Sequence, residues 1–378
     1  MDSQSHPEGV PGNEAPNPAP REPIAAQPVH EWQDSQYGRP PRRSRTGLWI
    51  ALALLMIAGL GLMMVGLAAM ATLAGLTTTA GERRVREEFV SHNRQATRKV
   101  AVITIEGIIL DEADGFVKRQ IDRAQNDDQV EAVVLRINSP GGTVSGSDYL
   151  HHHLRKLAED REIPIVASMG GVAASGGYYV AMAVGDTPES IYAEPSTFTG
   201  SIGVVIPRYD VSELLQNWGI EYDAIASGDL KGMGSMAKPM SEEERKLFAQ
   251  IVEEGFEQFK DTIRSGRPTL RDDPDALDKI ATGQIFTARQ AVEHGLVDRI
   301  GFVERAIERA IEVAGLDPDE VKVVRYRPEP SLARLLMGAE THSRRLDLKA
   351  LLDLITPRAY YLCTWLPVHV ASDARTGT

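Results

Sequence analysis

The sequence predicts an α/β fold built on a mostly parallel sheet, and three observations carry that expectation. Three runs rich in β-branched residues, "VAVITIEGIIL" (Val100 to Leu110), "VEAVVLRINS" (Val130 to Ser139) and "IPIVASM" (Ile163 to Met169), read as strands. Helical stretches lie between them. Strand, helix and strand in series favour parallel pairing beneath a cover of helices.

Taken in order, residues 1–46 are rich in Pro, Gly, Gln, Ser and Asn without apolar periodicity, and read as a disordered tail. Residues 47–77 contain an uncharged run from Leu48 to Leu76, longer than the roughly 20 residues a helix needs to cross a bilayer. This predicts a transmembrane helix. A cleavable signal peptide, suggested by Ala69-Met70-Ala71, is the competing reading, but the apolar run and its leader are both too long. Arg39, Arg42, Arg43 and Arg45 before the span favour a cytoplasmic N-terminus with the bulk of the chain outside, although Arg83, Arg84 and Arg86 follow it.

A polar connector, 78–98, leads to a single domain expected over 99–323. Its later helices announce themselves by their caps. Ser241 and Glu244 form a capping box ahead of Leu247, Phe248, Ile251, Val252, Phe256, Phe259 and Ile263, which share one face. Thr287 and Gln290 repeat the pattern, and Gly295 stops that helix. "FVERAIERAIEVAG" is a further amphipathic helix, ended by Gly315. The extension 324–378 holds "LLDLITPRAYYLCTWLPVHV", apolar but broken by Pro357, Arg358 and Pro367, so it reads as a helix packed on the domain or as an interfacial contact rather than a span.

Composition excludes several function classes. The 378 residues carry a formal net charge of −12, which argues against a nucleic-acid binder. With Cys363 as the sole cysteine, neither an internal disulfide nor a cysteine zinc cluster can form.

Two short stretches offer chemistry. "NSPGG" (Asn138 to Gly142) ends a hydrophobic strand, and proline followed by two glycines permits outward N–H groups able to hold an oxyanion; a plain turn uses the same residues. "VAASGGYY" places Ser175 among small residues, where it is either a nucleophile or a helix N-cap. A serine nucleophile needs a base. His151, His152 and His153 read as a solvated helix face, and His294 as part of a helix stop. A lysine can replace histidine where desolvation leaves it neutral, and Lys231 lies among Gly228, Gly232, Met233, Gly234 and Met236, uncharged apart from Asp229; a solvated surface lysine is the bland reading.

"RINSPGG", "VASMGGVAASGGYYVA", "TFTGSIGVV", "IASGDLKGMGS", "MSEEE" and "GQIFTARQAVEHGLVD" follow one another as in the SppA family of bacterial signal peptide peptidases, and the chain resembles its short, single-copy members from about Val100 to Ala314. That resemblance implies the ClpP/crotonase-like fold, a spiral of ββα units, with one transmembrane helix ahead of it. It implies Ser175 as nucleophile, Lys231 as general base, Gly141 and Gly142 as oxyanion donors, and Ser201 as the residue positioning the lysine. It also implies a serine endopeptidase of the cytoplasmic membrane, facing outward, with no metal or cofactor. Hydrophobic peptides such as cleaved signal peptides would be its substrates, and a homo-oligomer could share the dyad between subunits. Gly232 departs from the acidic or small polar residue that often follows the lysine. A non-catalytic membrane scaffold and an acyl-CoA enzyme of the same fold are the alternatives, and the joint presence of Ser175 and Lys231 disfavours both.

Overall fold

The computed structural model describes residues 49–50, 52, 54–66, 85–111, 115–329 and 359–363. The expected tail, the Ala69-Met70-Ala71 site, residues 78–84 of the connector and most of the C-terminal extension lie outside them. The chain divides into two units, Met1–Gly66 and Leu67–Thr378. In the first, the described residues from Trp49 to Gly66 are helical, and their large apolar side chains, from Trp49 to Val65, are exposed. Among the described residues no helix is long and apolar enough to cross a membrane.

The second unit is a mixed α/β fold. Its strands are β1 (Val85–His92), β2 (Arg98–Glu106), β3 (Val130–Ser139), β4 (Gly141–Thr143), β5 (Ile165–Ala174), β6 (Ile191–Ala193), β7 (Phe198–Gly200), β8 (Ile285–Thr287), β9 (Arg299–Ile300), β10 (Val321–Pro328) and β11 (Tyr360–Leu362). Helices α1 (Phe116–Gln125), α2 (Val144–Arg161), α3 (Gly176–Ala181), α4 (Ser212–Asn217), α5 (Glu242–Gly266), α6 (Pro268–Asp272), α7 (Pro274–Ile280), α8 (Ala288–Glu293) and α9 (Val303–Val313) connect them. Nine strands form one sheet in the order β1-β10-β2-β3-β5-β6-β9, with β7 beside β5 and β8 beside β7. Only the β1/β10 and β7/β8 pairs are antiparallel, so the expected parallel sheet is present.

Alternation along β2 explains why both faces are covered. Ala101, Ile103 and Ile105 enter one core with Leu135, Ile137, Leu154 and Tyr178, while Val100 and Val102 enter the other with Ala306, Ile307, Ala310 and Ile311 of α9. Both expected capping boxes form, at Ser241 with Glu244 and at Thr287 with Gln290.

Three differences from the sequence expectation have physical causes. The folded unit extends beyond 99–323, because the connector residues Val85–His92 pair with β10, and Glu88 meets Arg325 at 2.9 Å and Arg327 at 3.0 Å. A bulge between Phe89 and Ser91 breaks that ladder. The third predicted strand does not stop at Met169; β5 continues through Gly170 and Gly171 to Ala174, since its distal half finds a new parallel partner in β7. Residues 360–362 of the extension form a strand, not a helix, by pairing antiparallel with β4.

Candidate active site

β5 ends at Ala174 and α3 starts at Gly176, which leaves Ser175 alone at the junction. Its backbone lies at φ 54 and ψ −117, a region that costs any residue with a side chain conformational energy. Neighbouring bonds fix it there. Ser175 N–H donates to Gly200 O, Tyr179 N–H donates to Ser175 O, and both distances are 2.8 Å. Ser175 makes no side-chain cap to α3, so the helix-cap explanation fails. Only 1% of the residue is exposed, and Oγ has no hydrogen-bond partner among the described residues. A buried hydroxyl without a partner is costly, and it is free to bond an incoming group.

Ser201 occupies the matching place on the next strand. Ala174 is in register with Gly200, so the residues that follow, Ser175 and Ser201, leave parallel neighbours side by side. Both have positive φ, and Ser201 N–H is anchored to Gln284 O at 2.7 Å.

The "SPGG" turn packs directly on the start of α3. Gly142 is pressed against β2's exit: Ile109 N–H donates to Gly141 O and Thr143 N–H to Ile109 O, each at 2.9 Å. Gly141 has φ +102, and its N–H donates to Ser139 Oγ at 3.1 Å. A methyl group built on Gly141 would stand 2.7 Å from Gly176 N, and one built on Gly176 would stand 3.1 Å from Gly142 N. The backbone nitrogens of Gly142 and Gly176 therefore lie close together next to Ser175, while Gly141 supplies the bend. Gly176 was missed by motif reasoning, although the first amides of any helix have no partner within it.

Lys231 lies on a single 3₁₀ turn, Asp229–Gly232, and is exposed. No hydrogen bond or ion pair joins it to Ser175 within the described residues of this chain. The segment carrying it is poorly covered: Leu214, Ile220, Tyr222 and Leu230 are exposed, Trp218 is 70% exposed and Ile225 fully so.

The histidines of α2 divide. His152 is solvent-facing as expected, but His151 is mostly buried, edge-on to Tyr179 at 5.4 Å, with Nε2 unbonded. Burial pushes its pKa down to about 4, helped by Arg155 and His152 and opposed by Asp148. As pH falls, the unfolded chain takes up this proton near 6.5 and the folded chain only near 4. Folding stability should therefore fall across that interval, by roughly 3 kcal/mol. Urea titrations at pH 7 and pH 4.5 test this: His151→Leu should remove that part of the slope, and an unchanged slope would refute the assignment.

Comparison with known proteins fits this geometry. Residues 157–317 match the family model described as Peptidase family S49. A protein of Synechocystis sp. that bears a protease name is 34% identical over 244 residues, covering 65% of this chain and 84% of that one. A protein of Enterococcus faecium bearing the name signal peptide peptidase SppA is 33% identical, covering 60% and 67%. Protease 4 of Salmonella typhi is 35% identical over 68% of this chain, which spans only 41% of that longer protein.

Proposed function

The chain belongs to the SppA family within peptidase family S49 and is a serine peptidase, and from that premise we propose that it cleaves hydrophobic peptides through Ser175 and Lys231 on a ClpP/crotonase-like scaffold. The strained, buried and unbonded Ser175 hydroxyl beside two convergent amides is the observation that carries this reading. Ser175 Oγ attacks the peptide carbonyl as Lys231 takes its proton. The carbonyl oxygen becomes an oxyanion held by the Gly142 and Gly176 N–H groups, where preorganised donors lower the barrier. The amine leaves with a proton from Lys231, and a water activated by the same lysine releases the acyl group from Ser175.

Lys231 reaches Ser175 from a neighbouring copy in this reading, with Ser201 steering it. Support comes from the exposure of Lys231 and of the apolar segment around it, which a second copy would cover. The uncharged run from Leu48 to Leu76 and the exposed apolar side chains of its described helical residues support a membrane anchor. Arginines ahead of that run support a cytoplasmic N-terminus and an outward-facing peptidase domain in a bacterial cytoplasmic membrane. Peptides left in the bilayer would then be near at hand.

A peptide-based serine-protease inactivator provides the test. Mass spectrometry should find the adduct on Ser175 in the wild type and none in Ser175→Ala. An adduct on another residue, or none on Ser175, would overturn the nucleophile assignment.

A further inference from the structure

The loop that carries Lys231 is closed at its base by charged side chains outside the Ser175 site. Val211 N–H donates to Met236 O at 2.9 Å, so residues 212–235 leave and rejoin the domain at one neck. Arg208 lies across that neck. Its Nη2 donates to the carbonyl oxygens of Ser235, at 2.9 Å, and of Lys238, while Nη1 meets Asp210 at 3.3 Å. Asp210 in turn accepts from the Ser212 N–H at 3.0 Å and from the Ser212 hydroxyl at 2.6 Å. One guanidinium thus holds both the entry and the exit of the loop.

The exit is anchored again on α5. Lys238 Nζ donates to Glu244 at 2.5 Å, and Glu244 completes the capping box with Ser241. Between this exit and Lys231 the backbone is a run of overlapping turns. Ser235 N–H donates to Gly232 O at 3.3 Å, and Met233 N–H to Leu230 O and Lys231 N–H to Gly228 O, both at 3.0 Å. Because each turn shares residues with the next, a displacement of Ser235 is passed on to Lys231. Residues 216–231 are all exposed, so packing against the domain does little to fix the lysine independently of the neck.

We propose that Arg208 is a positioning residue that locks the neck of this loop and thereby sets where Lys231 is presented for proton transfer. The proposal rests on the reading of Lys231 as the base. A planar guanidinium directs its N–H groups to two carbonyls and a carboxylate at once, a geometry that an ammonium on a flexible stem does not hold. A reacting group misplaced by about 1 Å loses roughly a hundredfold in rate. Arg208 makes no hydrogen bond or ion pair to Ser175, Gly142 or Gly176 among the described residues, so its loss should act on the chemical step and not on substrate binding.

In the full-length protein, Arg208→Ala should lower kcat on an apolar reporter peptide roughly a hundredfold and leave KM unchanged. Arg208→Lys should recover only part of that loss. A cavity of about 590 Å³, lined in part by Arg208, Gly234, Met240 and Phe248, opens beside the guanidinium. Millimolar guanidinium ion should therefore restore turnover to Arg208→Ala and none to Lys231→Ala. Arg245→Ala, which removes a second arginine lining the same cavity, should keep the wild-type kcat. An unmoved kcat in Arg208→Ala, or a KM that rises as kcat falls, would overturn the positioning role. Hydrogen exchange read by mass spectrometry reports on the clamp without turnover: the bonded amides of residues 212–235 should exchange about tenfold faster in Arg208→Ala, with the rest of the domain unchanged. Unchanged exchange in that loop would overturn the clamp whichever residue is the base, and faster exchange throughout the domain would reduce Arg208 to a general structural residue. Near-normal turnover by Lys231→Ala would instead remove the base, and the positioning role with it, while the exchange result for the neck would stand.

Discussion

Co-expression of Ser175→Ala and Lys231→Ala chains is expected to restore peptide hydrolysis that neither variant retains alone. Each single change removes one half of a nucleophile and base that act as a unit, so each should lower kcat roughly a thousandfold or more. Within one chain the two side chains have no described contact, and Lys231 sits exposed on its turn. If each site takes Ser175 from one copy and Lys231 from the next, a random mixture leaves about one quarter of the sites intact, as follows from a head-to-tail ring. Activity of co-purified material near that fraction supports a shared dyad. A mixed oligomer as inactive as its parents would place both residues in one chain, and near-normal turnover by either single variant would remove it from the chemistry.

Gly142→Ala should be the most damaging glycine-to-alanine change among the described residues. Its added methyl would lie 1.8 Å from Ile109 O, 2.5 Å from Ile109 C and 2.7 Å from Ile109 Cα, all backbone atoms that no rotamer change can move. We expect a stability loss above about 4 kcal/mol together with loss of hydrolysis, because the amide of Gly142 moves with the clash. Gly107→Ala is the control. Gly107, unlike Gly142, has positive φ, but nothing lies within 4 Å of a built methyl, so it should lose only the strain cost of about 1 kcal/mol. Urea denaturation of the two variants decides the matter, and equal losses would show that the approach of Ile109 does not set the constraint.

Much of this was legible before any coordinates. The β-branched runs gave strands because their side chains fill two cores at once, and the capping residues Ser241 and Thr287 marked helix starts because their bonds are local. What could not be read depended on distant partners. Val85–His92 looks like a charged connector until β10 lies beside it, and Gly170 and Gly171 look like a turn until β7 extends the ladder of β5. His151 looked solvated because its neighbours on α2 are polar, whereas Tyr179 and the surrounding packing enclose it. The site motifs singled out Ser175 and its glycines by type. They could not show that the Gly141 amide donates to Ser139, that Gly176 N packs against Gly141, or that Tyr361 from far along the chain lies beside them.

The outer strands of the large sheet have a consequence for how copies of this chain can meet. β1 is bulged and carries Arg86, Glu87 and Glu88, while β8 and β9 span only three and two residues. Short, bulged or charged borders resist zipping one sheet onto another. Neighbouring copies are thereby offered no long backbone seam along these borders, so any contact made there falls to side chains, which can be weakened one residue at a time without drawing the protein toward fibrils.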